Sequence, residues 1–105
     1  MELQSRIRFS DEKIHRSFEK LAEGNGDEKE LHSWLIRAFE DIEKNAFCWI
    51  QVSKKLIPKE YNVTNLWKYD LPTSWRLLYS IENQQIYVVS IILEWMAHKE
   101  YERKF

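Results

Sequence analysis

The side chains best suited to chemistry lie in the second half of the chain. Arg76 carries a planar, permanently charged fork that matches the oxygens of a phosphate. It sits in Trp75-Arg76-Leu77-Leu78-Tyr79-Ser80-Ile81, where Trp75, Leu77, Tyr79 and Ile81 alternate with it. Period-two alternation places Arg76 on the non-core face of a strand. Lys68 has the same phase against Trp67, Tyr69 and Leu71, so it shares that face. Asp70, the next position on it, reads either as a base or as an ion-pair partner for Arg76. His98 is the only histidine after residue 53, and an ordinary imidazole pKa of about 6.5 suits proton transfer near neutrality. Tyr101 follows three residues later, a spacing that brings two side chains to one side of a turn or helical end. Such a set offers cations for a developing negative charge, an imidazole for proton transfer, and a phenol that orients a hydroxyl or stacks on a base.

Each residue also has a plainer reading. Arg76 can be a surface or partner-binding residue, and Lys68 a solvated charge. Tyr101 and Phe105 can pack a C-terminal tail on the sheet. Lys54, Lys55, Lys99 and Arg103 are candidate phosphate contacts, although cations near chain ends and loops are commonly just solvated. His15 and His32 lie on predicted helices without partners at metal-ligand spacing, which points to surface roles and to no metal site. Cys48 stands alone in the apolar run Ala46-Phe47-Cys48-Trp49-Ile50, so it reads as a small buried hydrophobe. A single cysteine allows no internal disulfide and suits a reducing, cytoplasmic setting.

The elements that must position these groups follow from periodicity. Residues 5–9 alternate polar and apolar and predict a short strand. Ser10-Asp11-Glu12-Lys13 reads as a helix start, with Ser10 capping free amides. Ile14, Phe18 and Leu21 fall on one face of that helix. Gly24-Asn25-Gly26 should break it, glycine supplying open backbone angles. A second helix is expected over residues 27–45, with Leu31, Leu35, Ala38, Phe39 and Ile42 as its apolar stripe, widened by Trp34. Residues 46–65, with Pro58 inside, read as an irregular, partly packed crossing segment. Three strands then follow over residues 66–71, 75–81 and 86–95, separated by Pro72-Thr73-Ser74 and Glu82-Asn83-Gln84-Gln85. The last is apolar on both faces near its middle, as a central strand should be. The expected fold is α+β: β-α-α-β-β-β, an antiparallel sheet with a helical hairpin on one face, as one domain over residues 1–105.

Composition narrows the function. With 44% apolar residues and five each of Trp, Tyr and Phe, the chain can build a core. No apolar stretch approaches the ~20 residues of a membrane helix, and no basic-then-apolar leader is seen. The formal net charge of −1 tells against wholesale binding to a polyanion. The charge is uneven, though. Residues 1–53 hold 8 basic and 11 acidic residues, a balance of −3, and residues 54–105 hold 8 and 6, a balance of +2. An anionic partner would therefore meet the second half.

The closing region also resembles a known family. Asn65-Leu66-Trp67-Lys68-Tyr69-Asp70-Leu71-Pro72 and the following Trp75 to Ile81 segment resemble the middle strands of toxins of the RelE/ParE superfamily. His98-Lys99-Glu100-Tyr101 resembles the closing segment of RelE, YoeB and HigB proteins. The match in motif covers about residues 65–105, and the link at 46–64 is longer than in a minimal RelE toxin. The resemblance implies the toxin of a type II toxin–antitoxin pair, a cytoplasmic mRNA endonuclease acting at the ribosome. The RNA 2′-hydroxyl would attack the adjacent phosphate, with no metal and no small-molecule cofactor. Arg76, His98, Tyr101 and Lys68 would then be catalytic, and Lys54, Lys55, Lys99 and Arg103 would bind RNA. The implied partners are a cognate antitoxin, mRNA and the ribosome, with no membrane. Asp70 departs from the family, which typically has a basic residue there. Two other functions stay open: a ParE-like inhibitor of DNA gyrase, and a non-catalytic binding module on the same fold.

Overall fold

A computed structural model describes residues 6–47, 49–83 and 85–93. The chain runs through strand β1 (Arg6–Phe9), helices α1 (Glu12–Leu21) and α2 (Gly26–Lys44), a two-residue strand β2 (Ile50–Gln51), and strands β3 (Trp67–Asp70), β4 (Trp75–Glu82) and β5 (Gln85–Leu93). The five strands form one sheet in the order β1-β5-β4-β3-β2. The fold is α+β, with a mixed sheet and two helices.

β3, β4 and β5 form the expected antiparallel meander. The sheet as a whole is not antiparallel, because β1 pairs with β5 in parallel, Ile7 opposite Ile86. Alternation signals a strand but carries no direction. Direction is set by the connection, and the whole of the intervening chain serves here as the crossover that parallel neighbours require. β5 thereby becomes central, which accounts for its apolar character on both faces. β2 was not foreseen. It adds a short edge through pairing of Ile50 with Lys68 and Gln51 with Trp67, and two residues are too few to leave a periodic trace.

The helices form where their apolar faces repeat, with different caps from those expected. Asp11, rather than Ser10, caps α1 by accepting from the Lys13 amide at 2.6 Å. Ser10 instead anchors to β5, its hydroxyl donating to the Val88 carbonyl at 2.9 Å. α2 starts at the expected break, where Asn25 accepts from the Glu28 amide at 2.9 Å. Neither glycine there has a positive φ, so the break comes from capping chemistry and not from glycine's extra backbone freedom. The unusual backbone lies elsewhere, in turns carrying Asn62, Thr73, Ser74 and Asn83 at positive φ.

Two cores sandwich the sheet. On one face Leu31, Leu35, Ala38, Phe39 and Ile42 of α2 and Phe18 of α1 pack on Trp67, Leu77, Tyr79, Ile86 and Val88. His15 and His32 join this layer at its margin, stacked on Phe9 and Phe18 with ring centroids 4.7 and 4.6 Å apart. On the other face Val52, Leu66, Leu78 and Val89 form a smaller cluster, with Ile57, Tyr61 and Val63 packed against it. The irregular segment that follows β2 therefore covers the second face. The register shift at Leu78/Tyr79 leaves Val89 without an opposed residue on β4, and Val88 and Val89, pointing to opposite faces, join opposite cores. No helix among the described residues is long and apolar enough to cross a membrane.

Candidate functional site

β3 and β4 build the candidate site between them. Trp67 and Tyr69 on β3, and Trp75, Leu77, Tyr79 and Ile81 on β4, belong to the helix-side core. Strict alternation sends Lys68, Asp70, Arg76, Leu78 and Ser80 to the other face. The register sets Asp70 opposite Arg76 and Lys68 opposite Leu78. Directly opposed residues have neighbouring Cβ atoms, and Arg76 Nε lies 3.5 Å from Asp70 Oδ1. The Arg76 side chain is 15% exposed and that of Asp70 57%. The guanidinium is thus largely buried, beside a carboxylate more open to solvent. Lys68 is half-buried alongside.

Helix-side packing fixes the strand pair. Tyr79, fully buried, donates its hydroxyl to the Ala46 carbonyl at 2.8 Å. Tyr69 donates to Asp41 Oδ2 at 2.8 Å and packs on Trp49 with ring centroids 4.2 Å apart. Burial, followed by the hydrogen bond to Asp41, pushes the Tyr69 pKa up to about 12. Asn65 plays the part of a missing backbone neighbour for β4. Its amide donates to the Ile81 carbonyl at 2.9 Å and its oxygen accepts from the Ile81 amide at 2.8 Å. Sequence reasoning gave Asn65, Asp41 and Trp49 no such roles. An asparagine that imitates a strand leaves no periodic signal, and the Tyr69–Asp41 pair joins residues 28 apart.

The structure brings Arg76, Asp70 and Lys68 onto one face. Lys54 and Lys55 are exposed on the 3-10 turn Lys54–Leu56, within the segment that covers this same face. Lys54 lines a separate open cavity with Lys59, Asn62 and Thr64, to which Arg76 and Lys68 do not contribute. His98, Tyr101, Lys99, Arg103 and Cys48 lie outside the described residues. The backbone register nevertheless shows where the last twelve residues begin. Ile92 and Leu93 of β5 pair with Arg76 and Trp75, so the described part of β5 ends one strand from Arg76. Among the described residues, no three His, Cys, Asp or Glu side chains gather as a metal site. The arrangement offers a guanidinium and an ammonium on a rigid sheet face for an anionic ligand, with a carboxylate competing for the guanidinium. A scan against protein-family models, a search of curated proteins and a search of solved structures each found no match for the chain.

Proposed function

We propose that the chain is the toxin of a type II toxin–antitoxin pair and cleaves mRNA at the ribosome by attack of the RNA 2′-hydroxyl on the adjacent phosphate. One observation carries the reading. Arg76 lies on a central strand on the face away from the helices, with Lys68 on the same face, and pairs with Ile92 near the end of the described part of β5. His98 is five residues beyond Leu93, and five extended residues reach at most about 18 Å. In the proposed reaction Arg76 binds the phosphate and stabilises its transition-state charge, while Lys68 adds a second cation. His98 and Tyr101 serve proton transfer and orientation of the 2′-hydroxyl. Lys54, Lys55, Lys99 and Arg103 hold the RNA backbone, and no step uses a metal.

A second reading, a non-catalytic binding module, draws on the Arg76–Asp70 ion pair, since a guanidinium facing a carboxylate is less available to phosphate. Incubation with translating ribosomes, followed by primer-extension mapping, separates the two. Codon-linked cuts, and RNA-only cleavage that persists in EDTA, are expected. Absence of cuts together with inhibition of gyrase would favour the ParE-like function, and absence of both the binding module.

A further inference from the structure

The segment that covers the second face is itself basic. Residues 52–66 carry Lys54, Lys55 and Lys59 against Glu60 alone, a balance of +2 in a chain of −1. An open cavity of about 520 Å³ lies among its two 3-10 turns, Lys54–Leu56 and Lys59–Tyr61, and the residues that lead towards β3. Lys54 and Lys59 line it from separate turns, and Ile57, Pro58 and Val63 give it apolar wall. The left-handed backbone of Asn62 (φ 51°, ψ 47°) bends the chain after the second turn, and Asn62 and Thr64 bring an amide and a hydroxyl to the same cavity. No carboxylate lines it among the described residues. Glu60 borders a different cavity, with Glu82. Neither Lys54 nor Lys59 has an ion-pair partner among the described residues.

Two ammonium groups facing one space set an anionic ligand, and the wall asks for more than a bare ion. The space is within the range of sites for whole small molecules. A phosphate alone would occupy a small part of it and leave the apolar side chains against water. A nucleotide meets both halves. Its phosphate takes the ammonium groups as point charges, and its base lies on apolar side chains. An amide and a hydroxyl can bond the base edge, the way single-stranded RNA is read. The position suits a polymer better than a free mononucleotide. Ile57 and Val63, which wall the cavity, also pack on the cluster that holds Leu78. Leu78 lies opposite Lys68 and two residues along β4 from Arg76, a step of about 7 Å on a strand. The cavity thus adjoins the face that carries the Arg76 cations, and one anionic chain can serve both.

We propose that this cavity is an RNA subsite for one nucleotide flanking the cleaved bond, with its phosphate on Lys54 and Lys59, its base against Pro58 and Val63, and Asn62 at the base edge. The inference rests on the cleavage reading for its ligand, and adds Lys59, Asn62 and the apolar wall to it. The probe is a short single-stranded RNA with 2′-O-methyl riboses, which lacks the attacking hydroxyl. Its binding to the full chain is followed by fluorescence anisotropy across salt concentrations and by amide shifts in nitrogen-edited NMR, with a glutamate hexapeptide as comparator. Shifts are expected at Lys59, Asn62, Val63 and Thr64. Lys54→Gln/Lys59→Gln should weaken binding at least about tenfold, and should lower the slope of log K against log salt by about 1.4, two contacts at about 0.7 each. In single-turnover cleavage of unmodified RNA the same pair should raise the half-saturating concentration and leave the maximal rate within about twofold. Asn62→Gly keeps the left-handed turn, which glycine adopts freely, and should weaken binding a few-fold with the slope unchanged. Lys20→Gln/Lys29→Gln removes the same charge from exposed helical positions and should leave both quantities unchanged. The proposal is overturned if the cavity pair binds RNA as the parent does, if the helical pair weakens binding as much, if the shifts miss the cavity, or if the glutamate peptide binds there equally well. A parent protein that binds the probe at the cavity yet cleaves no RNA removes the nuclease and leaves the subsite standing. A parent that cleaves RNA, with the cavity pair indistinguishable from it, removes the subsite alone.

Discussion

Replacing Asp70 by Asn tests how Arg76 works, because it removes a charge and leaves the shape. Asp70 Oδ1 lies 3.5 Å from Arg76 Nε, and its side chain is 57% exposed. An ion pair with one partner so open to water is worth about 0.2–1 kcal/mol, so Asp70→Asn should cost under about 1 kcal/mol of stability. The effect on an anionic ligand has the opposite sign. The carboxylate competes for the guanidinium and repels phosphate, and removing it returns an energy of the same order to binding. Cleavage by Asp70→Asn should therefore rise, by up to about fivefold at 1 kcal/mol. Arg76→Ala removes a transition-state cation and should lower the rate by about 10²–10³, which is ~2–4 kcal/mol. In Arg76→Ala/Asp70→Asn the gain from Asp70→Asn should shrink to the part owed to direct repulsion of phosphate, because the carboxylate then has no guanidinium to restrain. Single-turnover cleavage and urea unfolding, measured on all four proteins, supply both arms of the cycle. A folded Asp70→Asn protein that has lost cleavage would make Asp70 the base and refute the restraining role. A folded Arg76→Ala protein cleaving at the parent rate would remove Arg76 from the site.

Other expectations follow from the same packing and chemistry. His98→Ala and Tyr101→Phe should each slow single-turnover cleavage by at least ~10²-fold, and the double variant should be little worse than the poorer single one; small additive losses would make them tail-packing residues. Asn65→Ala removes two hydrogen bonds to Ile81 in a partly buried setting and should lower stability by about 1–3 kcal/mol in urea unfolding. A change within error would show that water substitutes there. Tyr69 has a folded pKa of about 12, raised from 10.0, so the folded state holds its proton where the unfolded chain releases it. Its stabilisation is complete below pH 10 and is lost as pH rises to 12. Tyr69→Phe should accordingly flatten the fall in stability across that window, and an unchanged alkaline profile would contradict the Tyr69–Asp41 bond.

Much of the fold was legible because it is written in local periodicity. The α2 stripe Leu31, Leu35, Ala38, Phe39 and Ile42 is buried as a set, and the phase of β4 matches its burial on the helix side. What alternation could not supply was partnership. Whether β1 runs parallel or antiparallel to its neighbour, and which neighbour it has, depends on connections tens of residues long. Ser10 illustrates the limit at residue scale. Ser10 and Asp11 are both good caps, and tertiary contact decides between them, because Ser10 faces the Val88 carbonyl and leaves the amides of α1 to Asp11. The site was legible in the same degree. The shared face of Lys68, Asp70 and Arg76 followed from phase, and so did the two readings of Asp70. The covering of that face by residues 52–66 did not follow, since Val52, Ile57, Tyr61 and Val63 have no regular spacing. The cavity lined by Lys54 and Lys59 was equally invisible, for the turns that enclose it carry no periodic signal.

That covering resolves an apparent conflict between charge and function. The formal net charge is −1, which taken as a whole disfavours an anionic polymer. Along the outer face of β4, however, the residues read Arg76, Leu78, Ser80, Glu82: a cation, an apolar residue, a hydroxyl and an anion. Successive residues on one face are about 7 Å apart, so Arg76 and Glu82 are separated by roughly 20 Å. At physiological ionic strength charges are screened over about 8 Å. A phosphate at Arg76 therefore senses Lys68 and Asp70 and is nearly blind to Glu82, Glu60 and Asp11. Between the two ends, Leu78 and Val89 pack with Val52 and Leu66 in the second core. The formal net charge is a sum over the whole surface, and the potential that governs a bound phosphate is local. On this basis Glu60→Gln/Glu82→Gln should leave cleavage at the Arg76 end unchanged within about twofold at physiological salt, while enhancing it at low salt, where the screening length grows to ~30 Å. Single-turnover rates at the two ionic strengths decide the point. A large effect at physiological salt would mean that the two ends act as one site.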